Sequence, residues 1–193
     1  MHRKRILDSL DTYKKSSLIT LEEKNKLPEL LHFIQQTPAC FERETHGHIT
    51  GSVWLMNHDE TEVLLTLHKK IKVWLHLGGH AEGNPDIPAV ALREAQEESG
   101  IASIEFMTPH IFDIDIHPVK APCYVHYDIR YLMKTDETAF VISPESHDLA
   151  WVSLGNLSTY TDDLSLSRMA YKVMQSKNSL NPQVNVIHNP SKS

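Results

Sequence analysis

The sequence predicts an α/β protein, because stretches with a two-residue hydrophobic period alternate with stretches of helical period. The clearest strand is at 123–134, where apolar and polar side chains alternate. Apolar residues recur at helical spacing from Leu166 to Val173. An acidic segment begins at the glycine pair 78–79 and ends at Gly100, which is typical of a short helix. With 193 residues, 40% of them hydrophobic, the chain can form one full domain.

Residues 1–45 are predicted to form a helical arm. Apolar side chains recur at helical spacing over residues 6–13, and Thr20 with Glu23 matches a capping box. A second helical segment is expected to begin at Pro28, because proline is tolerated in the first helical turn and not in the helix interior. We expect the arm to pack on the main domain or on a partner chain, which leaves a homodimer open.

The central part of the chain, residues 46–177, is predicted to form the main domain. The predicted strands cover residues 48–57, 62–68, 73–77, 103–119 with a break at Pro109, 123–134 and 149–154. A helix is predicted to close the domain at 166–175. Residues 178–193 are rich in Asn, Ser and Pro and are expected to form a loosely ordered tail.

Three carboxylates are concentrated in the predicted helix that follows the glycine pair. Glu94, Glu97 and Glu98 occupy positions i, i+3 and i+4, so their side chains project from one face. Like charges at this spacing destabilise a helix by roughly a few tenths of a kcal/mol per pair, and a bound divalent cation would reverse that effect. Carboxylate oxygens suit hard ions such as Mg²⁺ or Mn²⁺. A solvated acidic face without metal is the alternative.

The same segment resembles the Nudix box, which reads Gly, five residues, Glu, seven residues, Arg-Glu-apolar-x-Glu-Glu-x-Gly-apolar. The matching positions are Gly79, Arg93, Glu94, Glu97, Glu98, Gly100 and Ile101. A match of this length is far more specific than a lone glycine motif. The resemblance implies a Nudix-type α/β/α sandwich with a mixed sheet, to which the arm adds an N-terminal helical extension.

The resemblance also implies an activity. Nudix hydrolases are metal-dependent pyrophosphohydrolases that cleave a nucleoside diphosphate linked to another group, or a related small-molecule diphosphate. Mg²⁺ or Mn²⁺ would be held by Glu94, Glu97, Glu98 and the carbonyl of Gly79. Arg93 lies four residues before Glu97 and is expected to orient that carboxylate, with an ordinary surface ion pair as the alternative.

The general base is open between two sources. One of the box glutamates, Glu98 or Glu97, could accept the proton. Members of the family also recruit a carboxylate from a later loop, and Glu145, just before the last predicted strand, is the best placed residue for that role. A solvated loop glutamate is the alternative.

Two positions depart from the box. Pro85 stands where the pattern has its first glutamate, and Ala95 replaces a larger apolar residue. In the family that glutamate supports the box arginine, and Glu82 or Asp86 could take over its role. The loss of this support makes a Nudix-fold binding module without turnover an alternative function.

Histidine is frequent, with 13 residues of this type in the chain. His80 follows Gly79 directly and is predicted to bind substrate together with His126 and Arg130, where Arg130 would meet a phosphate. His126 and Arg130 share one strand face, which could instead be the water-facing side of an antiparallel sheet.

Two histidines suggest a further alternative. His48 and His80 are similar, more distantly, to the metal-binding histidines of isopentenyl-diphosphate isomerases, which share the Nudix fold. Those enzymes also use a catalytic cysteine and glutamate, and neither Cys40 nor Cys123 lies just after the glycine turn. An isomerase-like enzyme is therefore a second alternative to hydrolysis.

Composition excludes several classes of function. The net charge of −6 and the pI near 6.1 argue against general nucleic-acid binding, which needs a basic face. Two cysteines give no disulfide framework and favour a cytoplasmic location. No apolar run approaches the roughly 20 residues that span a bilayer, and the basic N-terminus lacks the apolar core of a signal peptide. The expected partner is the small diphosphate that the resemblance implies, and no membrane.

Overall fold

The structure is a computed structural model that describes residues 2–43, 45–120 and 124–180. The helices are α1 (Lys4–Tyr13), α2 (Leu21–Gln36), α3 (Ile87–Ser99) and α4 (Leu164–Leu180), with a 3₁₀ helix at Leu154–Thr159. The strands are β1 (Gly47–Met56), β2 (Glu62–His68), β3 (Trp74–His80), β4 (Glu105–Phe106), β5 (Asp113–Pro118), β6 (Val125–Lys134) and β7 (Ser146–Ser153).

The seven strands form one sheet with both parallel and antiparallel pairings. The order along its main path is β4-β6-β1-β3-β2-β7, and β5 pairs with β6 on the same edge as β4. Strands β1 and β6 run parallel over their whole length, from Gly47 beside Val125 to Met56 beside Lys134. The other pairings are antiparallel. This confirms the predicted mixed sheet.

Strand parity decides which side chains face each helical layer. A Cβ added to Gly51 of β1 would lie 3.1 Å from side-chain atoms of Ile87 and Val90, so this face of the sheet packs on α3. Neighbouring residues in a strand point to opposite faces. Helix α4 covers the second face, where Arg168 donates to the carboxylate of Asp113 on β5 at 2.8 and 3.0 Å. The predicted α/β/α sandwich is therefore confirmed.

The two N-terminal helices pack on the α3 side of the sheet. Leu10 of α1 and Leu30 and Ile34 of α2 have no exposed surface and belong to the same hydrophobic core as α3. Phe33 stacks on Tyr127 of β6, with ring centroids 3.9 Å apart. The arm thus completes the core of the domain.

Helix α2 corrects the prediction made for Pro28. We expected a new segment to begin there, whereas α2 is continuous from Leu21 to Gln36 with Pro28 inside it. An interior proline removes one backbone hydrogen bond and costs about 3 kcal/mol. The predicted capping box offsets part of this cost, since Thr20 and Glu23 each accept the other's backbone N–H. Burial of the apolar face of α2, which includes Leu27, Leu30 and Ile34, also stabilises the helix.

Helix α3 begins and ends at residues that the sequence marks. The side chain of Asp86 accepts the backbone N–H of Ala89 at 3.5 Å and caps the N-terminus. Gly100 has a φ of 69° and donates its N–H to the carbonyl of Gln96 at 2.8 Å. The prediction of a glycine C-cap is confirmed, because this left-handed conformation favours glycine.

A buried network of charges links the arm, β5, β6 and α4. Lys172 of α4 donates to Glu23 at 2.6 Å, to Asp113 at 2.7 Å and to the Tyr13 hydroxyl at 2.9 Å. Arg130 of β6 also lies near Asp113, at 3.3 Å. At most 1% of either Asp113 or Arg130 is exposed. The alternative that this face of β6 lies against water is therefore wrong at Arg130, where Met169 of α4 packs against it.

The C-terminal helix is longer than predicted. It spans Leu164–Leu180 instead of 166–175, so it overlaps the first residues of the predicted tail. Residues 181–193 of that tail lie outside the described residues. Across the described ranges, no helix is both long and apolar enough to cross a membrane.

Candidate metal and catalytic site

Glu98 is the most enclosed carboxylate of the box. Its Oε2 accepts the backbone N–H of Gly78 at 2.9 Å, which joins α3 to the end of β3. Burial, together with the charges of Glu94 and Glu145, raises the pKa of Glu98 to about 8, although the hydrogen bond from Gly78 opposes this shift. Glu98 therefore holds a proton readily near neutral pH when no cation is present.

Glu94 lies directly against Gly79. A Cβ added to Gly79 would lie 2.4 Å from Glu94 Oε2, so only glycine leaves room for this carboxylate. Burial raises the pKa of Glu94, while Arg93, which lies 2.7 Å from Glu94 Oε1, opposes the shift. Two box carboxylates therefore contact the glycine pair: Glu94 packs against Gly79, and Glu98 accepts the N–H of Gly78.

Arg93 connects the third box carboxylate to the strand. Its guanidinium donates to Glu97 Oε2 at 3.0 Å and to the backbone carbonyl of His80 at 3.3 Å. The Glu97 side chain is 61% exposed and is the most open of the three. These contacts support the prediction that Arg93 orients Glu97, and a bond to the β3 backbone is more than a surface ion pair supplies.

The two residues that could replace the missing box glutamate take different positions. Asp86 caps α3 and pairs with Arg5 of α1 at 2.5 Å, so it ties the arm to the box helix. Glu82 has a φ of 49° in the turn after β3, and its charge raises the pKa of Glu94. Arg93 keeps its position through the contacts to His80 and to the two glutamates beside it.

The loop before β7 brings Glu145 toward the box. Glu145 is exposed, and it directly precedes Ser146, the first residue of β7. Its charge contributes to the raised pKa of Glu98. The sequence prediction of a loop carboxylate near the box is thus consistent with the fold, and its role as the general base stays a prediction.

Three histidines meet at the ends of neighbouring strands. The ring of His48 lies 4.9 Å from the rings of His80 and His126, and those two are 5.1 Å apart, measured between centroids. Burial lowers the pKa of His80 to about 4 and that of His126 to about 3. The predicted substrate-binding role of His80 and His126 stays a prediction.

The guanidinium of Arg130 already has three carboxylate partners. It lies 2.7 Å from Asp128, 3.3 Å from Asp113 and 3.4 Å from Asp115. Burial opposes ionisation of Asp128, yet Arg130 and His76 hold the pKa of that carboxyl well below its usual value. Binding of a phosphate by Arg130 stays a prediction that would require these bonds to be exchanged.

Sequence reasoning missed the part that His76 plays in this network. His76 lies at 3.1 Å from Asp128, which also accepts hydrogen bonds from Thr50 at 2.7 Å and Ser52 at 2.6 Å. Thr50, Ser52 and Asp128 lie an even number of residues from His48 or His126 in their strands, so their side chains face the same side of the sheet as those histidines. This alternation was the signal that could have revealed the contacts.

The thiol required by the isomerase alternative is not supported at Cys40. Cys40 has no exposed surface, and burial raises the pKa of its thiol to about 11. A catalytic cysteine needs a lowered pKa and access to substrate. Cys123 lies outside the described residues.

Comparison with known proteins identifies a family whose profile matches this chain. The NUDIX domain profile matches residues 47–172. No curated protein has a significantly similar sequence. The match includes the box, every strand of the sheet and the first half of α4.

Solved structures share the fold. A NUDIX-family hydrolase from Clostridium perfringens is 26% identical, with a TM-score of 0.58, and the match covers 67% of this chain and 97% of that chain. A C. elegans Ap4A hydrolase binary complex is 16% identical, with a TM-score of 0.57, and the match covers 68% of this chain and 98% of that chain. The NUDIX domain of Shewanella oneidensis NrtR complexed with ADP ribose is 15% identical, with a TM-score of 0.53, and the match covers 76% of this chain and 97% of that chain. With the box geometry and a profile match over most of its length, the chain belongs to the Nudix family and is a hydrolase that acts on phosphoanhydride bonds.

Proposed function

We propose that this Nudix hydrolase is a metal-dependent pyrophosphohydrolase whose substrate is a nucleoside diphosphate linked to another group, or a related small diphosphate. The observation that carries the proposal is the packing of Glu94 and Glu98 against Gly78 and Gly79 at the end of β3. Glu97 projects from the same helix, three residues after Glu94. Protein contacts thus fix two of the three box carboxylates, Glu94 and Glu98, at the end of β3.

The donor set suits Mg²⁺ or Mn²⁺. The charge of Glu97 raises the pKa of Glu94, and the charge of Glu94 raises the pKa of Glu98, so a bound divalent cation would cancel this repulsion. These three residues, and by family resemblance the carbonyl of Gly79, would hold the ion. It would supply positive charge to the diphosphate and lower the pKa of a bound water.

The chain itself supplies positioning and proton transfer. The oxygen of a water molecule forms a bond to one phosphorus, the bridging P–O bond breaks, and the second phosphate leaves with its electron pair. Glu98 accepts the proton of the water as an ionised carboxylate, the form that a bound cation would favour. Glu145 is the second candidate for this base, and Arg93 keeps Glu97 in place.

The experiment is a hydrolysis assay with Mg²⁺ or Mn²⁺ on a panel that contains ADP-ribose and Ap4A. We expect at least one substrate to release a phosphate-containing product, and we expect Glu97→Gln and Glu98→Gln to lower that rate on the order of 100-fold or more. Glu105→Gln is the matched control, since Glu105 is an exposed glutamate on β4. Equal rates in wild type and both box variants would refute the assignment.

Two other outcomes identify the alternative functions. Thermal stabilisation by a panel member without turnover would favour a binding module, the function that Pro85 suggests. Migration of the double bond in isopentenyl diphosphate without phosphate release, observed by NMR, would favour an isomerase. The buried thiol of Cys40 leads us to expect no such migration.

A further inference from the structure

Three histidines form a compact cluster on the sheet face that points away from α3. His48 of β1 is the register partner of His126 on β6, and His80 of β3 is the partner of Thr50 on β1. Because Thr50 and His48 are two residues apart in one strand, their side chains face the same way. Three adjacent strands therefore each contribute one imidazole to the same place.

The nitrogen atoms of the cluster are close enough to share one ion. Each histidine offers a ring nitrogen, and these three atoms all lie within 4.8 Å of one another. Tetrahedral Zn–N bonds of about 2.0–2.1 Å hold their nitrogens about 3.4 Å apart. Small rotations of the side chains close that difference, since the hydrogen-bonded strands already fix the three backbones.

Burial shows that the cluster is built into the fold. His48 has no exposed surface, and His80 and His126 are partly buried. The Nε2 atom of His126 is buried and has no hydrogen-bond partner among the described residues. A buried ring nitrogen without a partner is unfavourable, and coordination to an ion would remove that penalty.

We propose that His48, His80 and His126 form a nitrogen-donor site for a borderline divalent transition-metal ion such as Zn²⁺, distinct from the carboxylate site. Imidazole suits Zn²⁺ and its neighbours in the transition series, whereas Mg²⁺ prefers oxygen ligands. Gly79 and His80 are consecutive in β3, so the two sites lie on opposite faces of one strand.

The number of ligands indicates the type of site. Three protein ligands leave the fourth tetrahedral position for water or for a substrate oxygen, which is typical of exchangeable or catalytic zinc rather than of closed structural zinc. His80 and His126 are only partly buried, so we expect such a ligand to reach the cluster from solvent.

The same rings bind an anion such as phosphate less well. A neutral ring offers an anion only one N–H donor and no positive charge, and three protonated rings about 5 Å apart, partly removed from water, would repel one another. A metal ion binds the neutral rings and needs no such protonation.

The test is a Zn²⁺ titration of the full chain in excess Mg²⁺, which occupies the carboxylates. We expect the wild type to bind one Zn²⁺ per chain. We expect His48→Gln and His126→Gln to weaken this binding by more than the roughly 10- to 100-fold that loss of an outer-shell partner costs. His147→Gln is the matched control, since His147 is exposed on β7, and it should bind zinc like the wild type. The double variant Glu97→Gln with Glu98→Gln should also retain the zinc.

A spectroscopic measurement on the wild type covers the case in which a histidine variant fails to fold. With Co²⁺ in place of Zn²⁺ the wild type should show the intense visible absorption of tetrahedral cobalt, and X-ray absorption at the zinc edge should report nitrogen ligands. Three results would each overturn the proposal. They are ligation of zinc by oxygen only, loss of zinc binding in the glutamate double variant but not in the histidine variants, and stabilisation of the protein by phosphate when no zinc binds. Zinc binding requires no turnover, so its failure is distinguishable from failure of the hydrolysis assay.

Discussion

At Gly79 the absence of a side chain is a functional requirement. A methyl group here would lie 2.4 Å from the Glu94 carboxylate and would displace it. We expect Gly79→Ala to weaken Mn²⁺ binding roughly 10- to 100-fold, as measured by calorimetric titration. Gly155→Ala is the control, because a Cβ there would meet only Ser153 Oγ, at 3.9 Å. Equal affinities in the two variants would contradict the placement of Glu94 at the metal.

Glu98 gives the protein without divalent cation a defined pH dependence. In the unfolded chain the carboxyl ionises near its ordinary pKa of 4.5, whereas burial holds the proton in the folded state up to a pKa of about 8. The folded state therefore loses relative stability as the pH rises from 4.5 to 8. We expect Glu98→Gln, which cannot ionise, to melt above the wild type at pH 8 and close to it near pH 4.5.

Thermal melts in chelator over this pH range check the expectation. Glu105→Gln serves as the control, since Glu105 is exposed, and its melting temperature should follow that of the wild type at every pH. A difference between Glu98→Gln and wild type that is the same at both ends of the range would show that Glu98 does not titrate as described. Addition of Mg²⁺ should reduce the difference at pH 8, because the cation stabilises the ionised carboxylate.

At the residue scale the sequence predicted positions better than environments. The i, i+3, i+4 spacing placed Glu94, Glu97 and Glu98 on one side of α3, which helical geometry requires. It could not show that Glu98 is half-buried while the Glu97 side chain is 61% exposed, because that depends on how α3 approaches β3. The same limit applies to Arg130, whose partners come from two strands.

At the scale of single elements, local signals were sufficient where no distant contact competed with them. Gly100 ends α3 because its backbone needs a positive φ, and the capping box of α2 depends only on Thr20 and Glu23. Pro28 failed as a signal because burial of α2 on the sheet outweighs one lost hydrogen bond. Propensity is a weak guide wherever tertiary packing decides.

The charge network between α4 and the arm makes a testable claim about how these elements are held together. Lys172 has two buried acidic partners, Glu23 and Asp113. We expect Lys172→Met to lower the free energy of unfolding by roughly 3–5 kcal/mol, measured by urea denaturation, because it leaves buried carboxylates without their cation. Adding Glu23→Gln to Lys172→Met should recover part of this loss, since one uncompensated charge is removed.

An exposed ion pair provides the control for that prediction. Lys15→Met breaks the pair with Asp11 at the end of α1, where both side chains are largely exposed. Its unfolding midpoint should equal that of the wild type, because exposed pairs contribute little. Equal losses for Lys172→Met and Lys15→Met would show that burial of the network does not matter.

At the scale of the whole molecule, the sequence predicted the sandwich and not the connections that complete it. Alternating strands and the box were enough for the fold class, since few architectures bury such elements. The bond between Lys172 and Glu23 joins residues 149 positions apart, and no local pattern indicates such a pair. Alternation alone could not decide whether the face of Arg130 is buried or solvent-exposed, because an inward charge and an outward charge have the same sequence period.

The arm provides the last prediction, because the structure makes it part of the core. Leu10, Leu30 and Ile34 have no exposed surface, and removing residues 1–45 would open the core beside α3 and take Glu23 from Lys172. We expect the truncated chain to lose its cooperative thermal transition and its near-ultraviolet circular dichroism, since both an apolar face and a buried charge would be left uncovered. A truncated chain that melts within a few degrees of the wild type would show that the sandwich is stable without the arm, and would return the arm to the role of a segment that packs on a partner chain.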